Sequence, residues 1–170
     1  EALKTTATAT FDVNATDGVA DSTAQTITIT LNGANDTPVL NVVTSGSYTD
    51  SAANDTFSDI TGTLSGSDRD SADTVSFELD GSSASSEVGF TVEKSSTYGT
   101  FYLNVTSGAY KFVANDSAIE GLETTETATF NVNATDGTAA STSQTITITL
   151  TGANDTPVLN VVSNGSYTDT

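Results

Sequence analysis

The residues able to do chemistry in this sequence are carboxylates gathered into short polar stretches. Asp68 and Asp70 flank Arg69 in Asp68-Arg69-Asp70-Ser71-Ala72-Asp73, just after the apolar alternation that ends at Leu64. Asp136 lies in Ala134-Thr135-Asp136-Gly137, Asn35-Asp36 and Asn154-Asp155 each precede a Thr-Pro pair, and Glu120 and Glu123 stand ahead of another apolar alternation. The chemistry such groups suit is ligation of a hard cation: calcium takes six to eight oxygens from carboxylates, amides, carbonyls and water. Two Asp at i and i+2 in a loop can aim both carboxylates at one ion, because the intervening residue takes the other side. An Asn-Asp pair in an extended connector offers an amide oxygen and a carboxylate to both of its neighbours. Without a cation, the same carboxylates repel each other and loosen whatever they join. The competing reading is turn chemistry, which Asp, Asn, Gly and Ser all favour, and for Asp73 alone it is the preferred one. Two other calcium patterns fail. An EF-hand starting at Asp68 needs glycine at position 73 and glutamate at 79, where Asp73 and Leu79 stand, and the glycine-rich nonapeptide is missing.

Composition narrows the remaining chemistry. Four Lys/Arg against 22 Asp/Glu leave a net charge of −18, a poor surface for nucleic acid or anionic membranes, whose binding needs basic clusters. Cys, His, Met and Trp are all missing from the chain, which removes disulfides, thiolate and imidazole metal sites, and every Cys–His or Ser–His nucleophile. No apolar run approaches the roughly 18–20 residues needed to span a bilayer, and no signal peptide is visible. The Asn-x-Ser/Thr triplets carry no weight in a chain this rich in those residues. Carboxylate pairs can hydrolyse glycosides, but nothing else suggests a substrate cleft, so the expectation is not an enzyme.

The elements that must position these groups read as strands. Thr8–Asn14, Gln25–Leu31, Pro38–Val43, Ile60–Leu64, Thr74–Leu79, Val88–Glu93, Tyr98–Val105, Ala109–Val113, Ala128–Asn133 and Gln144–Leu150 are short alternating runs between turn-forming residues. A single helical turn is allowed at Ser117–Leu122. The pattern predicts an all-β fold, an antiparallel β-sandwich. Its core would hold Val39, Leu64, Phe77, Leu79, Phe90, Phe101, Leu103, Tyr110, Phe112, Phe130, Val132, Ile146, Ile148 and Leu150. Thr26, Thr28 and Thr30 form the wet side of a strand, and one such row is too little for an ice- or sugar-binding grid.

Residues 1–51 are written again at 120–170: 40 of the 51 positions are identical at a shift of 119. The reading is a tandem array of 119-residue units, extending beyond this chain. Both prolines, Pro38 and Pro157, occupy the same place in the unit, in an extended, stiff connector. The expected division is residues 1–36 as the last strands of one repeat, 37–155 as a complete repeat, and 156–170 as the first strand of the next. An orphan hairpin is marginal alone, so residues 1–36 are expected to be poorly ordered or to pair with a neighbouring molecule.

The order of motifs resembles the VCBS and bacterial cadherin-like repeats of large surface adhesins related to RTX proteins. It is carried by Gly62-Thr63-Leu64-Ser65-Gly66-Ser67-Asp68-Arg69-Asp70, by Gly99-Thr100-Phe101 and Gly108-Ala109-Tyr110-Lys111-Phe112, and by Phe130-Asn131-Val132-Asn133-Ala134-Thr135-Asp136-Gly137. Most specific is the closing Thr147-Ile148-Thr149-Leu150-Thr151-Gly152-Ala153-Asn154-Asp155-Thr156-Pro157-Val158. The resemblance implies calcium between consecutive domains. At the first junction Glu1, Asn35 and Asp36 would ligate from one side, and Asp68, Asp70 and Asp136 from the other. At the second, Glu120, Asn154 and Asp155 would donate towards a following repeat. Position 123 holds Glu but position 4 holds Lys, which makes Glu120 and Glu1 the better ligands, and Arg69 adds a positive charge inside the Asp pair. The implied function is a structural extender of a secreted, extracellular adhesin, stiffened by calcium, with neighbouring repeats of the same chain as partners and no nucleic-acid or membrane contact. Alternatives are a fibre subunit assembling by strand complementation and a carbohydrate- or ice-binding module.

Overall fold

A computed structural model describes residues 3–169. In chain order the elements are β1 (Ala7–Val13), β2 (Gln25–Leu31), β3 (Val39–Leu40), β4 (Gly46–Thr49), β5 (Ile60–Thr63), β6 (Gly66–Ser67), β7 (Ser76–Leu79), β8 (Ser83–Ala84), β9 (Val92–Ser96), β10 (Gly99–Leu103), β11 (Ala109–Ala114), the one-turn α1 (Asp116–Ile119), β12 (Thr125–Thr135) and β13 (Gln144–Thr151). The fold is all-β. A five-stranded sheet, β5-β11-β10-β9-β8, faces a four-stranded sheet, β4-β13-β12-β7, with a small β3-β6 pair beside them. Every pairing is antiparallel except β4 with β13, which is parallel. Among the described residues no helix is long and apolar enough to cross a membrane.

Alternation explains the two layers. In β12, Ala128, Phe130, Val132 and Ala134 point inward, while Thr129 and Asn131 face water; in β13, Ile146, Ile148 and Leu150 take the inner positions. They meet Phe101, Leu103, Tyr110 and Phe112 from the facing sheet. The Phe130 ring lies 4.8 Å from Phe101 and 5.7 Å from Phe112, centroid to centroid, so it bridges the layers. Gly62 pairs across from Tyr110 and leaves the space its ring occupies, which a Cβ would fill. Gly108 turns the chain into β11 at φ +74°, a conformation that suits glycine.

Two expectations need correction. Val39 is 57% exposed, whereas Leu40 is 5% exposed and Pro38 is buried beside it. A one-residue slip swaps the faces of a strand, and the Pro-Val-Leu-Asn-Val-Val run does not by itself say which face is inner. Regular pairing there spans only Val39–Leu40, and the strand that joins the main sheet is the later β4. Phe90 is half-buried outside the core: its ring lies 5.9 Å from Tyr102, and the Lys111 ammonium sits 5.3 Å from both ring centroids. Residues 156–169, read from the sequence as the start of a following repeat, form no strand in this chain and their side chains are exposed.

The hairpin part of the repeat makes the same local structure twice, whereas β3 and β4 have no counterpart in the second copy. In the β1–β2 hairpin Phe11 pairs with Ile27 and Ala9 with Ile29; in β12–β13 Phe130 pairs with Ile146 and Ala128 with Ile148. The hairpin is ordered as a two-stranded sheet, but its apolar side is not covered: Phe11 is 55% exposed where Phe130 is 1% exposed.

Candidate metal centre

Two groups of three carboxylates come together, each with ligand-capable oxygens within 4.8 Å of one another: Asp68, Asp70 and Asp73, and Asp50, Asp55 and Glu120. They lie off opposite ends of β12, an 11-residue strand, and so roughly 35 Å apart.

The first group is built on the loop between β6 and β7. A bend at Arg69–Asp70 brings the Asp68 and Asp70 carboxylates together and leaves Arg69 exposed. The loop is pinned by its own hydrogen bonds: the Asp70 N–H donates to Asp68 Oδ1 at 2.7 Å, and the Asp73 N–H donates to the Asp70 carbonyl at 2.9 Å. The connector docks here. The Asp36 N–H donates to Asp70 Oδ2 at 2.7 Å, and Asn35 Nδ2 donates to Asp136 Oδ2 at 2.9 Å and to the Asp36 carbonyl. Lys4, from the segment before β1, reaches Asp73 Oδ2 at 2.7 Å.

These bonds leave a specific residue. Asp68 Oδ2, Asp70 Oδ1 and Asn35 Oδ1 are buried and accept no hydrogen bond, and Asp70 is only 2% exposed. All three are oxygens with lone pairs and no proton to donate, so only a donor or a cation can satisfy them. A hard cation matches both the charge and the all-oxygen lining. The site residues expected from the sequence are thus partly gathered. Asp68 and Asp70 converge, Asp36 contributes its N–H to Asp70, and Asn35, next to Asp36 in the connector, is braced by Asp136. Asp73, read from sequence as a turn residue, belongs to the group. Glu1 lies outside the described residues.

Asp136 is held by a local turn. Its Oδ1 accepts the N–H groups of Thr138 and Ala139, both at 2.6 Å. Those two bonds, followed by the Asn35 amide, hold its carboxyl down at about 2. Its stabilising contribution is therefore present above the ordinary Asp value and is lost as pH falls towards 2.

The second group joins residues far apart in sequence. Asp50 follows β4, Asp55 lies in the next loop, and Glu120 ends α1. The Asp55 N–H donates to Glu120 Oε1 at 2.9 Å, and the Ser51 N–H donates to Asp55 Oδ2 at 2.7 Å. Asp50 is 5% exposed; its Oδ2 accepts the Ala153 N–H at 3.2 Å, and its Oδ1 has no partner. The Asp55 N–H pulls the Glu120 carboxyl down, but desolvation and the Asp50 and Asp155 carboxylates outweigh it and raise its pKa. Asn154 and Asp155 border the same place, lining a cleft of about 190 Å³ with Glu120 and Glu123, yet both are exposed. Their counterparts Asn35 and Asp36 are half-buried because Asp70 and Asp136 close over them.

Asp50 and Asp55 were missed by sequence reading. The available signal was that Gly46-Ser47-Tyr48-Thr49-Asp50 returns unchanged at 165–169; nothing local linked it to Glu120. Asp50→Asn tests the electrostatics of this group. In EDTA the substitution removes a buried repulsion and is expected to raise stability by about 1 kcal/mol. In millimolar calcium it is expected to lower the melting temperature relative to the unmodified chain. Paired melts in the two buffers check that reversal of sign.

No family model matches the chain, and no curated protein matches it.

Proposed function

We propose that this chain is part of an extender array in a secreted bacterial surface adhesin, and that calcium bound where consecutive repeats join turns a flexible string into a rod. The observation that carries this reading is the set of unpartnered buried oxygens on Asn35, Asp68 and Asp70, found in the connector and in the loop it docks on. A divalent ion there ties the connector to the loop after β6 and cancels the repulsion that otherwise loosens the joint. Extracellular calcium modules bind at around 0.1–1 mM, so such joints are empty in a low-calcium cytoplasm and fill outside the cell. The 119-residue sequence period supports an array, and the separation of the two acidic groups across one strand length fits a reading with one at each joint. The reading is non-enzymatic. A separate cleft of about 580 Å³ has Glu78 and Asp80 among its lining residues, but Glu78 is occupied by the Asn133 amide at 2.7 Å.

Small-angle scattering of two tandem repeats tests the proposal. In EDTA the pair is expected to sample bent arrangements; in millimolar calcium, but not magnesium, its maximum dimension should lengthen to that of a straight pair. Asp68→Asn with Asp70→Asn should abolish the change. A calcium response that survives the double substitution would place the ion elsewhere.

A second reading, assembly of copies by strand complementation, draws on the uncovered side of the β1–β2 hairpin, where Phe11, Val13, Ile27, Ile29 and Leu31 are exposed. Mass measured at rising concentration separates the two: a strict monomer argues against assembly.

A further inference from the structure

Lys4 is one of four Lys/Arg residues in the chain, and it stands inside the acidic joint. Its ammonium lies 2.7 Å from Asp73 Oδ2, with the Asp73 side chain only 11% exposed. The hydrogen bond to Asp73, and then the charges of Asp73, Asp136 and Asp70, raise its pKa against the opposing pull of desolvation. It is a protonated fixture at neutral pH. Yet it serves one edge of the cluster only: Asp68 Oδ2, Asp70 Oδ1 and Asn35 Oδ1 remain without a partner. The equivalent position 119 residues later carries Glu123, which lines a cleft with Glu120, Asn154 and Asp155. At this one place, successive joints therefore differ by two units of charge.

We propose that Lys4 is a resident cation that sets the metal capacity of its joint, holding Asp73 without metal and confining a divalent ion to Asp68, Asp70 and Asn35. This rests on the divalent-cation reading above and goes beyond it in making the joints unequal. A joint with Lys keeps a metal-independent tie between the segment before β1 and the loop after β6. A joint with Glu replaces that tie with another carboxylate, and so depends more on calcium for its stiffness. The array would then stiffen in steps as calcium rises, joint by joint.

The test is a calorimetric calcium titration of the whole chain, carried out with Glu120→Gln in every sample so that the second acidic group is silenced. Lys4→Glu, which installs the residue found at position 123, is expected to add a bound ion or to tighten binding about tenfold, with Lys4→Ala between it and the parent. Unchanged or weaker binding by Lys4→Glu, when the parent binds calcium, would overturn the role of Lys4 while leaving the joint site in place. A parent that binds no calcium, with the Asp68→Asn/Asp70→Asn pair as its blank, would overturn the divalent-cation reading itself. Hydrogen exchange in EDTA supplies a second readout. The Asp36 N–H, which donates to Asp70 Oδ2, should exchange faster in Lys4→Glu and Lys4→Ala than in the parent, and equal exchange would show that Lys4 does not tie the joint.

Discussion

Replacing Phe130 with alanine is expected to destabilise the sandwich by about 3–5 kcal/mol, a fall in melting temperature on the order of 10–20 °C. The ring is 1% exposed, stacks on Phe101 at 4.8 Å and tilts against Phe112 at 5.7 Å, so truncation empties the centre of the interface between the two sheets. The informative control is Phe11→Ala. Phe11 occupies the same place in the sequence period and pairs with Ile27 just as Phe130 pairs with Ile146. It is 55% exposed and outside the core, so its removal should leave the sandwich melt within about 0.5 kcal/mol. Thermal unfolding of both variants decides the matter. A Phe11→Ala loss as large as that of Phe130→Ala would mean that the hairpin is covered in solution, the result expected of strand complementation between copies.

Millimolar calcium is expected to raise the melting temperature of the chain by about 10 °C over EDTA, with magnesium giving much less. At a tenfold excess over a dissociation constant of about 0.1 mM, each of two ions bound only by the folded state adds about 1.4 kcal/mol, and a domain of this size converts each kcal/mol into about 3–5 °C. Both acidic groups lie on the sandwich or its loops, so the sandwich transition itself should move. Protons compete for the same oxygens. Glu120 has a raised pKa, so without metal its contribution disfavours the folded state as pH rises from the ordinary Glu value through the raised one. Calcium reverses that sign by holding the carboxylate in its charged form. The calcium-induced rise should therefore shrink on mild acidification, beginning above the ordinary Glu pKa. Asp136, held down at about 2, stays ionised through that range. A melting temperature indifferent to calcium at neutral pH would reduce both carboxylate groups to turn residues.

Much of the architecture was legible because β structure leaves a period-two signature. The alternation of Thr with Phe, Val and Ile located β1, β2, β12 and β13 to within a few residues, and the expected core held most of the buried apolar side chains but missed Leu40, Tyr48, Ile119, Ala128 and Ala134. It failed where alternation was absent. Pro38 to Val43 is almost uniformly apolar, and only docking against the neighbouring elements sends Pro38 and Leu40 inward and Val39 out. Phe90 looked like core by residue type, but Tyr102 and Lys111 hold it on the outer surface of the five-stranded sheet. Of the candidate site, the Asp68–Asp70 pair was readable because the i, i+2 spacing in a polar loop suits two ligands of one ion. Asp73 does sit in a turn, its N–H donating to the Asp70 carbonyl, but the contact of its carboxylate with Lys4, 69 residues away, was not legible.

The two copies distinguish features set by neighbours along the chain from those set by packing. Asp17 and Asp136 each accept two N–H groups from the residues two and three places on. Gly18 and Gly137 both take positive φ, 89° and 85°, and the hairpins keep one register. These features arise between residues close along the chain, so the hairpin letters give the same local structure whether or not anything covers it, whereas Gly46–Thr49 is a strand through its pairing with β13 and its copy at 165–168 is not. Burial and convergence obey a different rule. Phe11 and Phe130 share a local structure but not an environment, because only the second has a facing sheet. Asp50, Asp55 and Glu120 meet because α1 ends where the loop after β4 passes, 65 residues away along the chain from Asp55. Such contacts are set by how the sheets stack and where the connections cross, and no local spacing of residues encodes them.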